Sequence, residues 1–131
     1  MYKTKINPRL SETNGTGHIS NTTVPVWLEA GLEEIYSLFI PDSTFQSWNL
    51  ILVNMNIDYL HQLFYGKEVE VQTWIKKIGN TSFTVYQELF QNKQLWEKGS
   101  TVYVNFNYGS QKPETISSQI REKLEEYIYL S

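Results

Sequence analysis

Apolar and polar positions along the chain predict a strand, a buried helix and then a series of strands. Tyr2, Thr4, Ile6 and Leu10 fall on alternate positions, interrupted by Pro8, and predict a first strand over residues 2–10 with an irregular end. Ser11 to Asn21 is polar and carries two glycines, which predicts a loop. Val24, Trp27, Leu28, Gly31, Leu32, Ile35, Leu38 and Phe39 then recur at three- and four-residue spacing, the stripe of a long and largely buried helix. Asn21, Thr22 or Thr23 can cap it, Pro25 is tolerated in its first turn, and Pro41 ends it.

The remainder reads as strands. Ile51, Val53, Met55, Ile57 and Tyr59 alternate with Leu52, Asn54, Asn56 and Asp58, and Val69, Val71, Thr73 and Ile75 with Glu68, Glu70, Gln72 and Trp74. Ile78-Gly79-Asn80-Thr81 is a turn, Phe83, Val85 and Leu89 open the next strand, and Leu95 to Phe106 forms another, with Gly99 a candidate bulge. A last helix is expected from about Ser117 to Tyr129. The order is strand, buried helix and four-strand meander, which one antiparallel sheet wrapped around one helix satisfies: an α+β fold in a single domain over residues 1–131. Such a sheet has open edges, so pairing with a second copy of the chain is expected.

Composition narrows the function. At 131 residues, 40% apolar and 15% aromatic, the chain can fill one core. A net charge of −3 and no basic run longer than Lys76-Lys77 argue against a nucleic-acid footprint. The absence of cysteine removes disulfides, a thiol nucleophile and a thiolate zinc site. His18 and His61 lie far apart with no ligand spacing around them, so no metal site is expected. Residues 1–9 lack the apolar core of a signal peptide, and no stretch reaches the ~20 apolar residues of a membrane span. A cytoplasmic protein is the expectation.

The polar loop carries a more specific signal. Ser11-Glu12-Thr13-Asn14-Gly15-Thr16-Gly17-His18-Ile19-Ser20-Asn21 resembles the pattern S-E-T-D-x-x-G-H-(V/I)-N-N of the 4-hydroxybenzoyl-CoA thioesterase-like hotdog proteins. Trp27-Leu28-Glu29-Ala30-Gly31 is similar to that family's F-E-x-(A/G)-R, with Glu29 at the family's spacing. Ile57-Asp58-Tyr59-Leu60, Lys77 to Phe83, Val104 to Asn107 and Lys112-Pro113 match further family motifs in order, so the resemblance covers nearly the whole chain. It implies a hotdog fold, in which the sheet wraps a long helix and a C-terminal helix follows. It also implies a homodimer or homotetramer that hydrolyses acyl-CoA or acyl-carrier-protein thioesters, with coenzyme A entering as part of the substrate and no separate cofactor. By the same resemblance the thioester carbonyl would sit on the N–H of Asn21 at the helix start, where unpaired donors and the helix dipole favour an oxyanion. The CoA portion would meet Gly79, Asn80, Thr81 and Ser82 at a subunit interface.

One departure bears on the chemistry. The family's loop aspartate is replaced by Asn14, and an amide is neither nucleophile nor base at neutral pH. Asn14 can orient a water while Glu29 supplies basicity; a helical wheel puts Glu29 on the flank of the stripe, where a solvated carboxylate is the plain alternative. A second reading is a protein that binds acyl thioesters without cleaving them. A third is deamidation at Asn14-Gly15, since Gly15 has no Cβ to hinder attack by its nitrogen. His18 either polarises the carbonyl or holds the loop, and with Glu29 it loosely suggests a dehydratase. Gly79 and Ser82 serve the turn as well as any substrate, and His61 reads as structural. Trp27, Phe39 and Trp48 read as core or interface residues, some of them able to line an acyl pocket.

Overall fold

The computed structural model describes residues 1–40 and 49–129. The helix stop expected at Pro41 and the side chain of Trp48 fall outside them. Strand β1 (Tyr2–Ile6) is followed by a 3-10 turn at Leu10–Glu12, helix α1 (Thr23–Ala30) and helix α2 (Glu33–Phe39). Then come β2 (Leu50–Tyr59), β3 (Val69–Ile78), β4 (Ser82–Gln91), β5 (Gln94–Asn107), the short β6 (Lys112–Pro113) and helix α3 (Ser118–Glu125). The strands form one sheet in the order β1-β3-β4-β5-β2, with β6 on β5 and every pair antiparallel. The helices α1 and α2 lie along its inner face, the hotdog arrangement expected of the chain.

The sheet departs from a simple four-strand meander. Of the four strands β2 to β5, only β3, β4 and β5 follow one another as neighbours; β2 lies at the far edge, against β5. Its side chains explain the place. β3 and β4 bury nearly every second residue, whereas Leu50 alone of β2 is buried, and Leu52, Val53 and Tyr59 are exposed. At the opposite edge β1 stops at Tyr2, paired with Thr73. Beyond that point the end of the chain takes over: the Ile75 N–H donates to Tyr127 O (2.8 Å) and the Tyr129 N–H to Ile75 O (2.7 Å), a parallel bridge. The last helix is therefore shorter than expected. It starts at an N-cap in which Ser117 Oγ accepts from the Ile120 N–H (3.2 Å), and after Glu125 the chain passes through a turn at Glu126-Tyr127 into the bridge at Ile128.

The buried helical segment is interrupted at Gly31-Leu32, where periodicity alone predicts continuity. The cause lies in the sheet below. One row of paired residues crosses all five strands: Tyr2, Thr73, Gln87, Gly99 and Ile57. Gln87 Nε2 donates to Leu28 O (2.8 Å), and Thr73 Oγ1 (3.2 Å) and the Tyr2 hydroxyl (2.5 Å) both donate to Gly31 O. These side chains take carbonyls that an unbroken helix would use itself. The Leu32 N–H bonds three residues back to Glu29 O, and the α-helical pattern resumes with Tyr36 N–H to Leu32 O.

Close approach favours glycine on both sides of this contact, since a Cβ there would force neighbouring side chains to shift. A Cβ on Gly31 would come within 2.9 Å of Val71 Cγ1 and of Gln87 Nε2, and one on Gly99 within 2.7 Å of Leu28 Cδ1. Gly99 is thus a seat for α1 rather than the bulge expected from sequence; the register of β2 against β5 shifts between Leu52 and Asn54 instead. The row also divides the core. Val24 and Leu28 of α1 cluster with Leu63, Val69 and Leu89, and Ile35 and Phe39 of α2 cluster with Ile75, Phe83 and Leu124.

Replacing Gln87 by leucine keeps the volume but leaves Leu28 O and Thr73 Oγ1 short of a buried partner. Urea unfolding of Gln87→Leu is expected to show a loss of about 1–3 kcal/mol at unchanged m-value, and no loss would show that these bonds do not set the helix break.

Candidate active site

Loop 11–22 is a small two-sided structure pinned at its base by Glu12. Glu12 Oε1 accepts from the Arg9 N–H (2.7 Å), and Oε2 accepts from the Trp27 indole (2.9 Å). Burial acts to raise the Glu12 pKa, but the bonds from the Arg9 backbone, the Trp27 indole and the Arg9 side chain outweigh it and hold the carboxyl below its usual range. The Ser20 N–H donates to Glu12 O (2.8 Å), so one residue ties both strands of the loop to α1. Further out, Thr13 bridges Ile19 and the Asn14 N–H donates to His18 O (3.0 Å). The far side is held by segment 63–65, through Ile19 N–H to Leu63 O (2.7 Å) and Tyr65 N–H to Gly17 O (2.9 Å).

At the tip, Asn14 and His18 are joined through a residue that the motif leaves undefined. Asn14 Oδ1 accepts from the Thr16 N–H (3.2 Å) and from the Thr16 hydroxyl (2.6 Å), and Thr16 Oγ1 lies 2.8 Å from His18 Nδ1. Asn14 and Thr16 are exposed; the half-buried His18 ring packs on Phe64 with centroids 4.7 Å apart.

Asn21 stands where the loop runs into α1. Its carbonyl accepts from the Tyr59 hydroxyl (2.9 Å), and its N–H has no acceptor among the described residues. Thr22 is the N-cap residue but makes no side-chain cap bond, so donors at this helix start remain open. Glu29 lies eight residues beyond Asn21, roughly 12 Å along the helix. It is exposed, and among the described residues its carboxylate forms no hydrogen bond or ion pair. Its charge acts on the Tyr36 and Tyr103 hydroxyls, both raised chiefly by burial. The structure therefore brings Asn14, His18 and Asn21 into one loop, and gives Glu29 no contact with it.

The turn of Gly79, Asn80, Thr81 and Ser82 is fastened by its carbonyls. Gly79 O accepts from Arg121 Nη2 (2.7 Å), Asn80 O from the Ile116 N–H (2.9 Å) and Thr81 O from the Asn105 N–H (2.8 Å), while the Gly79 N–H donates to Ser82 O (2.7 Å). This turn follows the end of β3, and the loop packs near its start at Val69, so within one chain the two are separated by roughly 30 Å of strand.

Sequence reasoning missed three features. Thr16 sits at a position that carries no constraint in the motif. Glu97, one of a mostly polar strand pattern, proves to be 2% exposed, on β5 between Leu89 and Tyr59. Its Oε2 has no hydrogen-bond partner among the described residues, and burial pushes its carboxyl up to about 7. The third is an open groove of about 610 Å³ that gathers Lys3, Lys5, Lys67 and Lys93, residues scattered in sequence. Glu70 and Glu68, at 4.0 and 3.9 Å from Lys3 and Lys5, offset part of its charge. Among the described residues no group of three His, Cys, Asp or Glu is placed to hold a metal ion, and no helix is long and apolar enough to cross a membrane.

Residues 8–124 match the thioesterase-like superfamily, and the chain belongs to that family. It is 50% identical to a predicted thioesterase from Bacillus stearothermophilus, over 99% of this chain and 98% of that one, with a TM-score of 0.96. A thioesterase from Thermus thermophilus, solved with coenzyme A and zinc, shares the fold at 21% identity, 93% and 95% coverage and a TM-score of 0.83. So does a DHNA-CoA thioesterase from Staphylococcus aureus, at 23% identity, 95% and 90% coverage and a TM-score of 0.79. No curated protein sequence matches the chain.

Glu97 generates a prediction for stability. Its folded pKa of about 7 exceeds the 4.5 of a free carboxyl, so the folded state keeps a proton that the unfolded chain has released. Its stability contribution is fully present below 4.5 and is lost as the pH rises through about 7. Glu97→Gln removes this dependence. Its advantage over the parent in thermal or urea unfolding is expected to grow across that window and to level off at up to about 3 kcal/mol; an offset that does not change with pH would contradict the assignment.

Proposed function

We propose that this protein is a cytoplasmic hydrolase of acyl-CoA or acyl-carrier-protein thioesters, releasing a free acid and a thiol. The observation that carries the reading is the open Asn21 N–H at the start of α1, at the end of the loop that carries the linked Asn14, Thr16 and His18, in a chain of the thioesterase-like superfamily. A carbonyl oxygen bound at Asn21 would meet the positive end of α1, which favours the tetrahedral oxyanion over the planar ester. Attack by water and departure of the thiolate complete the reaction without a cofactor, and coenzyme A enters only with the substrate.

The separation of loop and turn supports a site shared between copies. A substrate held by His18 and Asn21 lies far from Gly79 to Ser82 of its own chain, whereas a second copy running antiparallel would bring its turn to the first copy's loop. The exposed Leu52, Val53, Tyr59 and Leu60 offer apolar surface at the β2 edge for such pairing. A homodimer or homotetramer is therefore expected in sedimentation equilibrium, and a monomer at micromolar concentration would contradict the shared site.

One observation favours a second reading, an acyl-thioester-binding protein without turnover: Asn14 is an amide and Glu29 is remote from it. A dehydratase has less support, because His18 and Glu29 make no contact. Thiol release from a panel of short, long and aromatic acyl-CoAs, by protein whose intact mass confirms Asn14, separates these readings. Turnover of at least one member is expected. No turnover across the panel, restored by Asn14→Asp, would establish a binding protein instead.

A further inference from the structure

We propose that Thr16 is the positioning residue of this site, fixing through its hydroxyl the ring tautomer that makes His18 Nε2 the general base in place of the carboxylate absent at position 14. The inference rests on the thioesterase reading for its reaction and on heavy-atom geometry for its proton placement.

The proton positions follow from what each atom can give. A backbone N–H donates only, so the Thr16 N–H at 3.2 Å identifies the Asn14 atom facing it as oxygen and settles the amide orientation. That oxygen has no hydrogen. The Thr16 hydroxyl, 2.6 Å away, must therefore spend its single proton on Asn14 Oδ1. Sending it to the ring would set two lone pairs against each other at that distance. The hydroxyl then presents a lone pair to His18 Nδ1 at 2.8 Å, and the ring must supply the proton of that contact. A neutral imidazole has one N–H; with it on Nδ1, the lone pair lies on Nε2.

The ring is held for this role. Its face packs on Phe64, and the backbone of residue 18 is bonded to Asn14 on one side and bridged to Phe64 on the other. Nε2 has no partner among the described residues. Position 14 then needs an acceptor oxygen rather than a base, and an amide supplies one as a carboxylate would.

The reaction balances on this arrangement. Nε2 takes a proton from water as the water oxygen bonds to the thioester carbon, and the carbonyl oxygen gains charge at the Asn21 N–H. The carbon–sulfur bond then breaks, the acid forms, and the departing sulfur recovers the proton from Nε2. While the ring is doubly protonated, Nδ1–H still donates to Thr16 Oγ1, so the imidazolium keeps its orientation.

Long-range proton–nitrogen correlation spectra of histidine-labelled protein test the tautomer directly. They are read at about pH 9, where histidine rings are neutral, with His61→Gln to assign the two rings. Wild-type His18 is expected to carry its proton on Nδ1, and Thr16→Val to lose that fixed form. Kinetically, Thr16→Val is expected to lower kcat at least tenfold with KM within about twofold, and Thr16→Ser to restore it. A wild-type ring protonated on Nε2, or a Thr16→Val variant with tautomer and kcat unchanged, overturns the proposal. Absence of wild-type turnover overturns the base assignment; a fixed Nδ1–H in the same sample then places the failure in the thioesterase reading and not in the Asn14–Thr16–His18 chain.

Discussion

The architecture depends on a polar contact in an apolar interior. Gln87 and Thr73, both essentially unexposed, cross from the sheet to the carbonyls of Leu28 and Gly31, and Tyr2 joins them from the edge strand. Buried amides and hydroxyls are costly unless satisfied, and backbone carbonyls freed from a helix carry the same cost. Here each cancels the other. The two glycines fit this register: Gly99 leaves room for Leu28, and Gly31 sits against Val71 where a Cβ would come within 2.9 Å. Apolar packing alone would tolerate sliding of the helix over the strands; this set of bonds does not.

The functional consequence is positional. With α1 clamped at its C-terminal end, its N-terminal end is set relative to the sheet, and Tyr59 of β2 reaches up to Asn21 O from below. Glu12 then fastens the loop to α1 through Trp27. The open donors of the helix start and the His18 ring are thus referred to one rigid frame, which is what preorganised stabilisation of a developing charge requires.

Much of this is legible in the sequence, where local pattern and physical cause coincide. The α+β class, the buried helical stripe, the polar loop and the turn after Ile78 all follow from periodicity and turn chemistry, and the structure has them. The placement of β2 does not follow, because alternation at Ile51 to Tyr59 reports extended chain and says nothing of which neighbour it pairs with. The break at Gly31 is hidden for a related reason: the stripe is continuous through it, and its cause lies in Thr73 and Gln87, some forty and sixty residues away. Gly99 suggests a bulge because a glycine in a strand has two meanings, and only the packed helix decides between them. At the site, the motif residues are visible and their linkage is not. Thr16 acquires meaning from two distances, and Glu97 from a burial that its polar neighbours in sequence do not suggest.

The way β3 is flanked has a consequence for the order of folding. Its first half is bordered by β1 and its second half by Tyr127 and Tyr129, so one border of a single strand is assembled from two segments that lie far from it in sequence, on opposite sides. Each of these pairings closes a long loop, whereas β3 and β4 are joined by a tight turn. The β3–β4 hairpin therefore has the lower entropic cost, and this composite border is the later one to close.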